Sequence, residues 1–284
     1  MPALRFEPVN AKHSIEDFFL GIRFARQLTE AMFTKTVVQA RGLAGLHNLP
    51  AENQQANFLL AVDPVAGMQA RPAAAYGTYF QRFNAVGGVE EELRLERNFV
   101  GYRTGKYDRW KTVVEKLEAI VLPLAQQYAV EASLLDSVVL QYVDRFTSAE
   151  SGSVDWSELF RPTTPWVASG MLTTATAWHS HSGRFEQVAE TSSARRLINV
   201  NVDVGEPVIR PGTNSPQSLA ILTLCTDQIV RPGIAPHVVD PGSFQSDMRS
   251  RFEVLHERAK AILMEVLADA YLDRIDMPKS GTPK

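Results

Sequence analysis

Cysteine is almost missing from this chain: its 284 residues hold one, Cys225. No disulfide can close within it, which points to a reducing, cytoplasmic setting. Neither charge sign dominates, since 29 Lys and Arg against 32 Asp and Glu leave a net charge of −3. A general basic excess that would hold a nucleic-acid backbone is therefore lacking. Long apolar runs are lacking too. The most apolar stretch, Ala119 to Ala125, falls far short of the ~20 residues a bilayer crossing needs, so no membrane is expected. The opening Met1-Pro-Ala-Leu-Arg-Phe-Glu7 has no basic region followed by an apolar run and is not read as a secretory signal.

What is there is ordinary globular patterning, with 45% apolar and 21% charged residues. Asp17 to Phe24 is rich in aromatic and β-branched residues and reads as a strand. Thr29 is placed to cap a helix carrying Met32, Phe33, Val37 and Ala40, with Gly42 as its stop. Gln55 to Val62 and Ala75 to Asn84 read as strands, Gly87-Gly88 as a turn, and Glu91 to Tyr102 as a half-solvated antiparallel strand. Trp110, Val113, Val114, Leu117, Ile120, Val121 and Leu124 form one helical stripe. Pro123 predicts that this helix kinks or ends nearby.

The order then starts again. Ser137 to Phe146 is a strand, and Asp155 with Glu158 has capping-box spacing for a short helix through Phe160. Strand-like segments follow at Gly170 to Trp178, Phe185 to Glu190, Arg196 to Val204 and Leu219 to Thr226. Two proline-rich loops flank the last of these. A helix from about Phe244 to Ile275 closes the chain, its stripe formed by Phe252, Leu255, Ala259, Ile262, Val266 and Leu267. Both stretches read strand, helix, antiparallel strands, long helix. The expected class is α+β with an internal duplication: an N-terminal half over 1–130, a C-terminal half over 131–276 and a flexible tail over 277–284.

Four short motifs occur in order: Tyr79-Phe-Gln-Arg-Phe-Asn84, Tyr107-Asp-Arg-Trp110, Gln141-Tyr-Val-Asp-Arg-Phe146 and Leu255-His256. In these the chain resembles a sporadically distributed prokaryotic protein family whose members show Arg-Phe-x-x-Asn, Tyr-x-x-Trp, Arg-Tyr-x-Asn and Leu-His patterns over about this length. Residues 15 to 275 are the span the resemblance covers. The first motif is shortened here, and Asp144 stands where the family usually has Asn. The resemblance implies no activity and no catalytic residues. The family's patchy distribution associates it with mobile or defence-related gene cassettes.

Chemistry-bearing residues are few. His179 and His181 are two apart, so on a strand both imidazoles face one way and could share a metal. A third ligand would have to come from Glu186, Glu190, Asp203 or His237. The bland alternative is an exposed hairpin tip, because Ser182-Gly183 signals a turn. No Gly-x-Ser-x-Gly elbow is present, and Gly42-Leu-Ala-Gly45 and Gly87-Gly88 lack phosphate-loop spacing. Cys225 lies in an apolar strand and reads as a buried structural thiol. Arg184, Arg195 and Arg210 make the second half locally basic, a patch for phosphate or an acidic partner beside the simpler solvated edge. Asp144 sits in an apolar strand and needs a partner if it points inward. Asp144, Arg196 and His256 are the polar cluster singled out, with a structural ion pair as the alternative.

The expectation is a non-enzymatic binding or adaptor protein that contacts another protein, takes no cofactor and can self-associate, with recognition carried by the long loops. Two other readings are kept: a small-ligand or nucleotide-binding protein with helices gripping a sheet, and a metal-dependent hydrolase at His179/His181.

Overall fold

The computed structural model describes residues 5–63, 67–132, 134–148, 154–174, 177–188, 194–205, 209–210, 213–214, 217–229 and 238–277. Most of both proline-rich loops, with His237, lies outside the described residues, as do Glu190 and residues 278–284 of the tail. The strands are β1 (Glu7–Pro8), β2 (Ile15–Phe24), β3 (Ala51–Asp63), β4 (Gly67–Phe83), β5 (Val89–Glu96), β6 (Phe99–Thr104), β7 (Leu135–Ser148), β8 (Trp178–Gln187), β9 (Arg195–Val204), β10 (Ile209–Arg210), β11 (Thr213–Asn214) and β12 (Gln217–Gln228). The helices are α1 (Glu30–Leu46), α2 (Trp110–Lys116), α3 (Leu122–Ala132), α4 (Phe244–Val266) and α5 (Asp269–Arg274). The class is α+β.

Two compact units divide the chain. One takes Phe19–Val138 and Ile229–Arg251; the other takes Met1–Phe18, Val139–Gln228 and Phe252–Lys284. In the first, hydrogen bonds order the strands β3-β4-β5-β6-β2. In the second the order is β7-β12-β9-β8, with β1 paired to β7. Strict alternation marks the strands of the second unit: β7 buries Leu140, Tyr142, Asp144 and Phe146 on one face, and β12 buries every second residue from Gln217 to Asp227. The α4 stripe residues Phe252, Leu255, Ala259, Ile262 and Val266 are all buried. Phe6, Trp156, Phe160 and Trp178 add an aromatic cluster with ring centroids 5.6 to 6.3 Å apart.

Several local expectations change. Helix α1 is capped by Thr29, whose hydroxyl accepts from Met32 N–H at 3.3 Å. It passes Gly42 and ends near Asn48, which takes the left-handed conformation at φ 57°. Gly42 has open space around it, so the helix tolerates it at about 1 kcal/mol. Pro123 does not end its helix. A π turn at Leu117–Val121, closed by Leu122 N–H on Leu117 O, lets the backbone continue into α3. The extra residue in that turn moves the carbonyl that a proline ring would otherwise strike.

Glu91 to Tyr102 is two strands. Arg97-Asn98 turns between them, with Asn98 Nδ2 donating to Phe24 O and Arg97 to Leu28 O. Gly170 onward is a 3-10 turn, Ser169–Thr173, where a strand was expected. Asp155 caps a single 3-10 turn at Trp156–Glu158 by accepting from Ser157 N–H. The final helix breaks after Val266, because Arg161 N–H bonds Val266 O and Ala268 N–H bonds Leu159 O.

Candidate functional site

Strand β8 ends its unit's sheet. It pairs with β9 along ten residues, from Trp178 opposite Val204 to Gln187 opposite Arg195, with no register shift. Among the described residues no strand lies against its outer edge. Ser182-Gly183 is the middle of this strand and makes no turn. A Cβ on Gly183 would stand 2.5 Å from Asn199 Oδ1, the end of a side chain that can turn, and 3.3 Å from Ile198 O.

The two faces of β8 differ. Toward α4, Glu186 receives both arms of Arg258, Nε at 3.0 Å and Nη2 at 2.7 Å, and Arg184 Nη2 at 2.9 Å. Arg258 continues to Glu265 at 3.1 Å, Glu265 accepts from Trp166 Nε1 at 2.8 Å, and the Arg184 guanidinium lies 4.5 Å from the Trp166 ring centre. Burial alone would push the Glu186 carboxyl up, but the bonds from Arg258 and Arg184 outweigh it and hold the group below the usual carboxylate range. On the opposite face His179 and Phe185 are exposed, and the Arg195 guanidinium sits 4.0 Å from the Phe185 ring centre.

Asp144, Arg196 and His256 take three different partners. Asp144 accepts from the Ser14 hydroxyl at 2.6 Å, and burial pushes its carboxyl up to about 6 although that bond pulls the other way. Arg196 forks onto Asp227, Nε at 2.7 Å and Nη2 at 3.1 Å, in a pair almost closed to solvent. His256 shares a 2.7 Å hydrogen bond with the Tyr142 hydroxyl. Burial, with Lys260 nearby and Glu257 opposing, pushes its imidazole down to about 4. Cys225 is buried beside this polar layer, and burial pushes its thiol up to about 12.

The histidine pair faces out on β8, His179 Nδ1 lying 2.5 Å from Asp203 Oδ1 and His181 opposite Asn201. Glu186, once a candidate third ligand, lies toward α4 instead. Among the described residues no group of three or more His, Cys, Asp or Glu is placed to hold a metal ion. Of the basic patch, Arg184 is engaged with Glu186 and Trp166, and Arg195 with Gln228 at 2.9 Å and Phe185. Arg210 pairs with Thr213 through the backbone, and its side chain lies outside the described residues. Among the described residues no helix is long and apolar enough to cross a membrane.

Neither a family model nor a curated protein matches the chain. Two of its four short motifs nonetheless meet in space, through Tyr142 and His256.

Sequence reasoning passed over the most buried charges of the other unit. Glu91, nearly closed to solvent, binds the Tyr102 hydroxyl, Arg82 and, at 3.1 Å, Lys116 Nζ. Glu96, equally buried, takes Arg94, whose guanidinium also lies 5.3 Å from the Tyr79 ring centre and 5.7 Å from that of Phe99. Both glutamates sit in a run that reads as a solvated strand face. The available signal was the apolar alternation of Leu93 and Leu95, which puts Glu91 on the buried side.

Proposed function

We propose that the chain is a non-enzymatic adaptor that binds protein, and that β8 is its contact. The observation carrying this is an edge strand of ten residues without a bulge, bearing an exposed phenylalanine. Such an edge offers a row of backbone N–H and C=O groups to an incoming strand. Phe185, 54% exposed, supplies the apolar anchor beside that row, and aromatic residues lead among the side chains that anchor protein interfaces. The mobile or defence-related cassette suggested by the family resemblance makes the neighbouring genes the first source of partners.

The test is a photo-crosslinking phenylalanine analogue placed at Phe185 and, as a control, at the exposed Val38 of α1, in cells of the native host. Protein adducts from position 185 and none from position 38 support the reading. No protein adduct at position 185 overturns it, and so does a purified chain that turns over a substrate.

A further inference from the structure

The two outer edges of the strand orders differ. β3 is guarded: its pairing with β4 slips between Gln55 and Ala56 and again between Ala56 and Phe58, and bulges twist an edge away from partners. β8 has none of this. Its pairing is regular throughout, and it carries neither proline nor lysine, two of the residues that usually blunt an edge. Its charges offer little repulsion either, because Arg184 and Glu186 neutralise each other at 2.9 Å and Glu186 is also held by Arg258 at 2.7 Å.

The order of residues along β8 favours one occupant. A strand that pairs antiparallel with its own copy must complement its own reverse about one point. Read outward from Phe185, the neighbours are Arg184 on one side and Glu186 on the other, then Gly183 and Gln187. A two-fold axis at Phe185 therefore sets Arg184 opposite Glu186 of the second copy, and Glu186 opposite its Arg184. Directly opposed residues in an antiparallel pair point to the same face, so the four charges form a closed square of alternating sign. The two Phe185 rings meet on the other face, each backed by its own Arg195.

We infer that β8 is a self-association edge, on which a second copy of this chain pairs antiparallel about Phe185 through reciprocal Arg184–Glu186 contacts. This rests on the adaptor reading of β8 and names its partner. The contact is one strand long, so the dimer is weak and concentration-dependent.

Sedimentation equilibrium of the full chain tests it, together with Arg184→Glu and Phe185→Cys. The wild-type mass should climb toward two chains as concentration rises. Arg184→Glu sets like charges opposite one another and should weaken association about tenfold or more. Phe185→Cys should form a disulfide-linked dimer under mild oxidation. Ser182→Cys should not, because in this register Ser182 faces Val188 of the second copy. Buried Cys225 stays silent in both. Wild type that remains monomeric, Arg184→Glu that associates as tightly as wild type, or linkage at Ser182→Cys in place of Phe185→Cys overturns the inference. If the Phe185 crosslinker then captures a different protein, the adaptor reading stands without self-pairing. If it captures none, both fall.

Discussion

The Tyr142 hydroxyl and His256 Nδ1 lie 2.7 Å apart in a buried position, and Asp144 projects from the same face of β7. His256 and Asp144 pull stability in opposite directions as pH changes. Burial holds the imidazole down to about 4 against 6.5 for an ordinary histidine. The native state thus refuses a proton that the unfolded chain accepts, and stability present above pH 6.5 is lost as pH falls toward 4. Burial holds the Asp144 carboxyl up to about 6 against 3.8. Its contribution is full below pH 3.8 and is lost as pH rises through 6. Each is worth roughly 3 kcal/mol at most, from about 1.4 kcal/mol per unit of pKa, and between about pH 4 and 6 the slopes cancel.

Removing one slope should therefore expose the other. Asp144→Asn should leave stability near pH 4 little changed and raise it at pH 7 by about 1 to 3 kcal/mol, giving a curve that climbs through the window. His256→Gln should give a curve that declines with rising pH over the same range. Urea denaturation at several pH values measures both. An Asp144→Asn profile parallel to wild type would remove the argument.

The Arg196–Asp227 pair is buried on both sides. Asp227→Asn leaves the guanidinium without its countercharge and should cost about 3 to 5 kcal/mol. Replacing both partners with apolar residues, Asp227→Leu with Arg196→Met, removes the uncompensated charge and should recover much of that loss. Denaturant midpoints of the singles and the double decide it, and a double mutant as unstable as the sum of the singles contradicts it.

Cys225 should resist a thiol reagent in the native protein, because the reactive thiolate is scarce and the sulfur is closed to solvent. Labelling in urea should rise in step with the unfolding transition. Rapid labelling of the native chain would show that β12 opens locally.

The legible parts of the fold were those written in local periodicity. Alternation in β7, β9 and β12, the apolar stripe of α4 and the Thr29 cap all follow from neighbours within a few residues. The misread parts are settled by contacts distant in sequence. The turn at Arg97-Asn98 carries no glycine or proline and is held by Phe24 and Leu28 carbonyls. The end of α4 is set by backbone bonds to Leu159 and Arg161. Of the site, Asp144, Arg196 and His256 stand out in the sequence as polar residues in apolar strands or stripes, but their partners Ser14, Asp227 and Tyr142 are not marked by any spacing. The Glu186–Arg258 link joins a strand to a helix 72 positions on; the sequence offers Glu186 only as a metal ligand, and nothing in its segment marks Arg258.

Gly183 and Gly77 are both glycines inside strands, yet an added methyl should behave differently at each. At Gly77 the new carbon would lie 2.9 Å from Leu95 O, a backbone atom of the paired strand, and 3.3 Å from Glu96 Cγ. The carbonyl cannot move without disturbing the β4–β5 ladder, so Gly77→Ala should cost about 1 to 3 kcal/mol, as overpacking typically does. At Gly183 the nearest atom is Asn199 Oδ1 at 2.5 Å, the end of a side chain that can rotate away. Gly183→Ala should therefore be the milder change, and Asn199→Ala should relieve most of its cost. Thermal unfolding of Gly77→Ala, Gly183→Ala and the Gly183→Ala/Asn199→Ala pair gives the coupling directly. Strict additivity at the second site would show that Ile198 O, 3.3 Å away, sets the limit there instead.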